Sequence, residues 1–585
     1  MSMKNLTGAF STRQTPQSEP IPGREAVMVE NSAGGYSFGL DKWGRLARFL
    51  VLGSEGGSYY ASEKALSKDN AKSALDCIKE DGVRVVNLIV DVSDAGRAPK
   101  NTPAIFLLAM AAKLGDEKTA QAAYLAMPKV CRIGTHLFQW CEAIKAFGGF
   151  SSGTQRALAR WYDKVNADAI ESIGMNADLS DEEKIAQMDK VRAAGLRRTA
   201  LQVVKYQSRE GWSHADVLRL AKPKGHERGG ELDRIFGWAT GKWTPDVNTA
   251  PGDATDLIWA YERAKAIGLQ MEGKPSKART ADIVKLITDF NLPREGIPTQ
   301  YLNELAVWDA LLDNGGQGMP MTAMIRNLPK MTSIGLLKPM SDASVKVVAA
   351  LNDVERITKA RVHPLQMLVA LKTYQGGRGI RGSLTWSPVS QVVDALDAGF
   401  YTSFGAVEST GLRWQLALDV SGSMGWSAIA GLPGITPMVG AAAMSMVTAA
   451  SEPNHVITAF SHQMVEIKGI SPRMRLDSVV RSMQQVPMGG TDCALPMLWA
   501  MRNNINVDVF VVYTDSETWF NPKQHPIQAL DAYKQKTGIN SKLIVVGMVS
   551  NGFTIADPDR NDNLDIVGFD TATPNVMAGF AKGEF

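Results

Sequence analysis

Cysteine is scarce in this chain: four in 585 residues, Cys77, Cys131, Cys141 and Cys493, far apart and with no CxxC pair. That spacing argues against a disulfide framework or a thiolate zinc site and predicts buried free thiols in a reducing compartment. Long apolar runs are missing too. Among the most apolar windows is MVGAAAMSMVTAA, Met438 to Ala450, which is too short to cross a bilayer. The opening MSMKNLTGAFSTRQTPQSEP has no apolar stretch of the secretory kind, so a cytoplasmic protein with no membrane anchor is expected. Neither sign of charge is in excess, with 63 basic against 60 acidic residues and a net +3, so only local patterning can say anything about partners.

What is present is ordinary globular composition, 45% apolar and 21% charged, in a chain too long for one hydrophobic core. Its texture changes once, near residue 390. Before that point apolar residues recur at helical spacing, as in TPAIFLLAMAAKL, EKTAQAAYLAMPKV and ADIVKLITDF. So long a helical region predicts stacked helix pairs, although no fixed repeat period emerges. After about residue 400 the β-rich runs WQLALD, HVITAF, DVFVVYTD and KLIVVGM alternate with helical segments. That alternation predicts a doubly wound α/β domain with a parallel sheet, whose ligands bind at the C-terminal strand ends.

The stretch LALDVSGSMG lies at such an end. Asp419 closes the first run, with Ser421 and Ser423 at alternate positions after it; Asp515 closes another run, and Thr491 stands in GGTDCALPM just before a helix. If the three segments converge, they offer hydroxyls and carboxylates only, a donor set for a hard cation such as magnesium and a poor one for zinc or copper. Other chemistry fits badly. A phosphotransferase aspartate pair would need an acid where Ser421 stands, and neither a G-x-S-x-G elbow nor a P-loop is present. A metal-dependent hydrolase would have only Asp492 and Glu517 as nearby bases. GGRGIRG, with Gly377, Gly379 and Gly382, follows a helical pattern rather than a strand and reads as a basic flexible loop. DPDRNDNLD, with Asp557, Asp559 and Asn561, lacks the glycine and glutamate of a calcium loop and reads as a solvated turn.

A second signal is electrostatic. From Arg192 to Arg228 there are nine basic residues against three acids, Glu210, Asp216 and Glu227. On a helix through LRRTALQVVKYQSRE, Arg198, Gln202, Lys205 and Arg209 form one stripe, with Leu196, Ala200 and Val203 opposite. The stripe lacks interleaved acids, which leaves its charges available to phosphates; a solvated helix face is the alternative.

The D-x-S-x-S, T, D set resembles the metal-ion-dependent adhesion site of von Willebrand factor A domains. The blocks FLVLGSEGGSYY, VCRIGTHLFQW, KYQSREGWSHADVLRL, MTAMIRNLPKMT, GGTDCALPM and SNGFTIADPD, in order over nearly the whole chain, resemble the Ro ribonucleoprotein (TROVE-module) family. The first resemblance implies Ser421, Ser423 and Thr491 as direct ligands of the ion, with Asp419 and Asp515 acting close behind. The second implies a flexible start at 1–22, an α-helical HEAT-like ring at 23–395 and a von Willebrand factor A domain at 396–585 that closes the ring.

For function, the family resemblance implies a non-catalytic, monomeric ring that binds Y RNAs outside and the single-stranded 3′ ends of misfolded RNAs in its hole. A Y RNA could tether it to a 3′-to-5′ exoribonuclease, polynucleotide phosphorylase. Lys205 and Arg209 match the family's RNA contacts, and Lys222 stands where the family has a histidine, keeping charge but losing a stacking ring. His214 is expected either to meet RNA or to serve a structural role beside a helix cap. The acidic stretch 166–190 departs from the family pattern and is expected to project away or to tune RNA choice. The rival function is a metal-dependent protein-docking scaffold.

Overall fold

The computed structural model describes residues 14–584 apart from 55–61, 177, 224–229, 270–274, 381, 405–406, 427, 433, 468–469, 471–473, 488 and 520. From Lys42 to Thr402 the regular elements among the described residues are helices apart from one two-stranded hairpin, and the helices pack on ones near them in the chain, as Lys42–Leu52 does on Glu63–Asp94 and Lys277–Phe290 on Leu305–Asp313. Helix Asp181–Lys205 packs on helix Asp256–Leu269 and so joins the two halves of the helical region. The far end then returns to the start. Arg361 pairs with Asp94 at 2.6 Å, and Gln366 donates to the Pro99 carbonyl at 2.9 Å. The imidazole Nε2 of His363 lies 3.1 Å from the Arg97 carbonyl and 2.8 Å from that of Phe569, in the C-terminal domain. Arg97 in turn pairs with Asp570 at 2.5 Å. The helices therefore close into a ring, sealed by the C-terminal domain at this joint.

Eleven strands are present among the described residues: β1 Met28–Glu30, β2 Tyr36–Gly39, β3 Ser208–Arg209, β4 Trp212–Ser213, β5 Trp414–Asp419, β6 His455–Phe460, β7 Met464–Glu466, β8 Val509–Thr514, β9 Lys542–Gly547, β10 Phe553–Thr554 and β11 Asn563–Val567. The main sheet runs β11-β9-β8-β5-β6-β7, parallel except for the edge strand β7. All six residues of β5 and of β8 are buried, as expected of strands covered by helices on both faces. The chain leaves β5 for β6 on one side and later returns to place β8 on the other. The C-terminal ends of β5 and β8 thus form the switch point where a crevice opens.

Two features differ from expectation. The change of texture near 390 is not a break in the core: helices from Ala260 to Phe404 and one face of the main sheet share a single apolar cluster, while helices 42 to 258 have another. The described part of the expected flexible start, 14–22, is instead packed on the C-terminal domain. Gln17 is fully buried and hydrogen-bonded there, and Ile21 joins Met28, Phe38 and Ile527 in a small cluster. A polar stretch of this kind is ordered when its buried amides find partners, which a sequence alone does not show. The segment continues into β1 and β2, and β2 pairs with β10 of the C-terminal domain.

Candidate functional site

The crevice brings together Asp419, Ser421, Ser423 and Asp515, four of the five residues of the expected metal set, and the loop of the fifth, Thr491, is tied in beside them. Asp419 ends β5, and its carboxylate accepts from the Ser421 amide at 2.9 Å and from the Thr514 hydroxyl at 2.6 Å. Ser421 and Ser423 hydroxyls lie 3.1 Å apart. Asp515 follows β8 and accepts from the Glu517 amide at 3.1 Å and from the Ser423 hydroxyl. The loop bearing Thr491 joins this group because the Trp519 amide donates to the Thr491 carbonyl at 2.9 Å. Thr514, which orients Asp419, was not among the expected residues; its place at a strand end beside another strand end is a matter of register, which motif spacing does not reveal.

Electrostatics test whether a cation fits. Asp419 and Asp515 are buried, and both carboxyls are pushed above the usual carboxylate range, chiefly by burial; for Asp419 the charge of Asp515 adds to it. Among the described residues no ion pair reaches either one. Two neighbouring buried carboxylates without a basic partner form a site that a divalent cation would complete, with Ser421, Ser423 and Thr491 supplying neutral oxygens. Among the described residues no group of three or more His, Cys, Asp or Glu side chains is arranged to hold a metal, so a zinc-type alternative is absent there.

The two candidate bases are otherwise engaged. Asp492, pushed up to about 6 by burial, accepts from the Gln17 side chain and the Ala494 amide. Glu517, pushed up to about 8 by burial and then by Asp515, accepts from the Ser32 amide at 3.0 Å. The acids of the false calcium loop are neutralised: Arg24 pairs with both Asp557 and Asp559. The glycine-rich stretch follows helix Pro364–Gln375, as expected, and a bridge joins Arg378 to Thr385. All four cysteines are free and buried, as expected.

The basic stripe is present but differs in shape. The helix ends at Lys205 rather than running through Arg209; β3 and β4 then form a hairpin about Glu210 and Gly211, both at positive φ. Ser213 and Asp216 start the next helix with a reciprocal capping box, which explains the break. Ala200 and Val203 are buried as expected, and Arg198 is exposed. Gln202 is taken up by the Gly134 amide at 2.9 Å and is not free on the stripe. Arg209 is exposed and touches Glu210; Lys222 is exposed at the end of helix His214–Ala221. Among the described residues no ion pair engages Arg198, Lys205 or Lys222, whereas Arg192 and Arg219 each have an acid three residues away.

His214 does not belong to this surface. It is buried, its Nδ1 is 2.8 Å from the Tyr162 hydroxyl, and Phe138 meets its ring edge-on at 4.9 Å. Burial lowers its pKa to about 4 and keeps it neutral. Its place just after the cap turns it inward, so the structural role holds.

The acidic stretch projects. Helix Ala167–Met175 buries no residue, and helix Asp181–Lys205 buries none before Gly195. At 1.5 Å per residue, the free half of that helix extends about 20 Å, which carries its acids away from the basic end.

Comparison with known proteins agrees with this architecture. The TROVE domain family model matches residues 29–249 and 291–373, and the Ro60 vWA domain model matches 413–581. The chain is 37% identical over 584 residues to the RNA-binding protein RO60 of Deinococcus radiodurans, covering 100% of both chains. It is 32% identical to the RNA-binding protein RO60 of Caenorhabditis elegans, covering 95% of this chain and 90% of that one. The crystal structure of the Deinococcus radiodurans RO (RSR) protein matches with a TM-score of 0.64 at 37% identity, over 93% of this chain and 100% of that one. With a ring of helices closed by a von Willebrand factor A domain, and with these matches along its length, the chain belongs to the Ro60 family of TROVE-domain proteins.

Proposed function

We propose that this protein is a non-catalytic RNA-binding ring that takes part in RNA quality control. The observation that carries this reading is the set of cations Arg198, Lys205 and Lys222, which no ion pair engages among the described residues, together with exposed Arg209, around the end of one helix and the hairpin and helix that follow it. Such a surface suits the phosphates of a small folded RNA of the Y RNA class, and the ring suits single-stranded 3′ ends threaded through its hole. On this reading a bound Y RNA brings in a 3′-to-5′ exoribonuclease such as polynucleotide phosphorylase, the ring acts as a monomer, and its setting is the cytoplasm. Ser421, Ser423, Thr491, Asp419 and Asp515 hold a magnesium ion, whose contribution is structural or for docking rather than hydrolytic, since Asp492 and Glu517 are both taken up in hydrogen bonds to the N-terminal segment.

The test is RNA binding across a salt series with Lys205→Ala combined with Arg209→Ala. Removing two phosphate contacts should lower the slope of log K against log salt by about 1.8 for a duplex partner. An unchanged slope assigns RNA to another surface.

A second reading, metal-dependent docking of a protein through an acidic side chain, is favoured by Trp426, which is 62% exposed beside the serine loop. It predicts that Ser421→Ala removes a protein partner and leaves RNA binding intact.

A further inference from the structure

The two loops that carry Thr491 and Asp515 are held from outside by residues from the first fifty of the chain. Gln17, fully buried, donates from Nε2 to Asp492 Oδ1 at 3.1 Å and to the Gln524 carbonyl at 2.8 Å. Asn31 Nδ2 donates to the Thr518 hydroxyl at 2.8 Å, the Ser32 amide to Glu517 at 3.0 Å, and the Ser37 hydroxyl to the Ser516 carbonyl at 3.1 Å. Gly34 bridges to Trp519, whose amide in turn bonds Thr491. The fit is close: a Cβ on Gly35 would lie 2.5 Å from the Thr518 carbonyl oxygen.

A second connection comes from the ring. Arg48, on helix Lys42–Leu52, is buried; its guanidinium pairs with Asp565 at 2.7 Å and donates to Asn551 Oδ1 at 2.6 Å. The Asn551 amide nitrogen donates to the Asp515 carbonyl. The guanidinium has room only because residue 547, at the end of β9, is glycine, where a Cβ would lie 2.7 Å from Arg48 Cζ. The first helix of the ring thus reaches the backbone of Asp515 through two side chains, Arg48 and Asn551.

We infer that Gln17, Asn31 and Arg48 are positioning residues of the cation site, so that cation binding and the seating of residues 15–50 are coupled. The coupling rests on the metal reading above. A cation that draws the 419–423, 491 and 515 loops together fixes the groups to which the N-terminal segment and the first ring helix are bonded. Linkage then requires the seated segment to raise cation affinity by the same factor. The site becomes a means by which ion occupancy tightens the ring at its joint with the C-terminal domain.

The experiment uses the full-length protein. Magnesium chloride is titrated calorimetrically into the wild type, into Gln17→Ala with Asn31→Ala, and separately into Arg48→Lys; backbone hydrogen exchange of residues 28–50 is followed with and without the ion. Expected is a fall in affinity of about 10- to 100-fold in the double variant, as for outer-shell partners of other metal ligands. Exchange at 28–50 should slow with magnesium in the wild type and should not respond in Ser421→Ala, a contrast that a purely structural segment would not give. Binding by the wild type with unchanged exchange at 28–50, or equal affinity in a folded double variant, overturns the coupling alone. No binding by the wild type overturns the metal reading and the coupling with it.

Discussion

Replacing His363 with glutamine tests how the ring is closed. The imidazole is buried at the joint of three segments: Nδ1 accepts the Leu365 amide at 3.1 Å, and Nε2 faces the carbonyls of Arg97 and Phe569. A proton on Nε2 and none on Nδ1 satisfies all three, so the neutral ring fits and the imidazolium does not. Burial accordingly lowers its pKa to about 4. The unfolded value is about 6.5. Between the two, the open chain binds a proton that the closed joint refuses, so this contribution is fully present above about pH 6.5 and is lost as pH falls toward 4. Linkage gives a loss of about 2 kcal/mol at pH 5 relative to pH 7.5. Glutamine does not titrate, and at pH 7.5 it should weaken the joint by about 1–3 kcal/mol through imperfectly met carbonyls. The difference between wild type and variant should therefore narrow by about 2 kcal/mol at pH 5. Opening free energies from amide exchange at residues 95–100 and 364–368, corrected for intrinsic rates, measure it. A difference that does not change with pH would show that the imidazole is not what resists protonation there.

Further expectations concern other sites. His214→Ala should destabilise the helical region by about 2–4 kcal/mol, yet leave RNA affinity per folded molecule unchanged, as thermal melting and filter binding can check. Gly547→Ala should displace the Arg48 guanidinium and cost about 1–3 kcal/mol by denaturant titration, more than an alanine at the exposed, unobstructed Gly422. Ser421→Ala with Ser423→Ala should abolish magnesium-dependent stabilisation in a melting series, and a shift equal to the wild type's would place the ion elsewhere. Reversing the acids of the projecting helix, as in Glu182→Lys with Glu183→Lys, should alter RNA affinity less than neutralising Lys205 and Arg209.

The placing of Asp419 and Asp515 at neighbouring strand ends was legible because each closes a short apolar run of strand length, WQLALD and DVFVVYTD, followed by a polar loop. The strand β11, NLDIV, was not expected, since its side chains are only half-buried at the sheet edge and an edge tolerates asparagine and aspartate. Periodicity alone carries the helix on through Arg209, whereas it ends at Lys205 and the capping box at Ser213 settles where the next one begins. His214 shows the limit most clearly: a histidine near a basic face and one in a core read alike until Phe138 and Tyr162, far off in sequence, are brought beside it. Nor could composition disclose that residues 14–40 belong with residues 491–557, because such contacts span most of the chain.

That last contact has a consequence for biosynthesis. During translation Gln17, Asn31 and Arg48 leave the ribosome some five hundred residues ahead of the groups they bond. Until β10 is made, β2 has a free edge, and the apolar face of the main sheet has no existence against which Ala260–Phe404 can settle. The ring can therefore reach its closed form only once residues 553–570 have been made, and a product truncated before residue 553 would carry an unpaired strand and an uncovered hydrophobic surface at once. Such fragments expose the kind of surface that chaperones and proteases bind, so the long-range bonds that shape the site also defer burial of the helical core until the last strands are made.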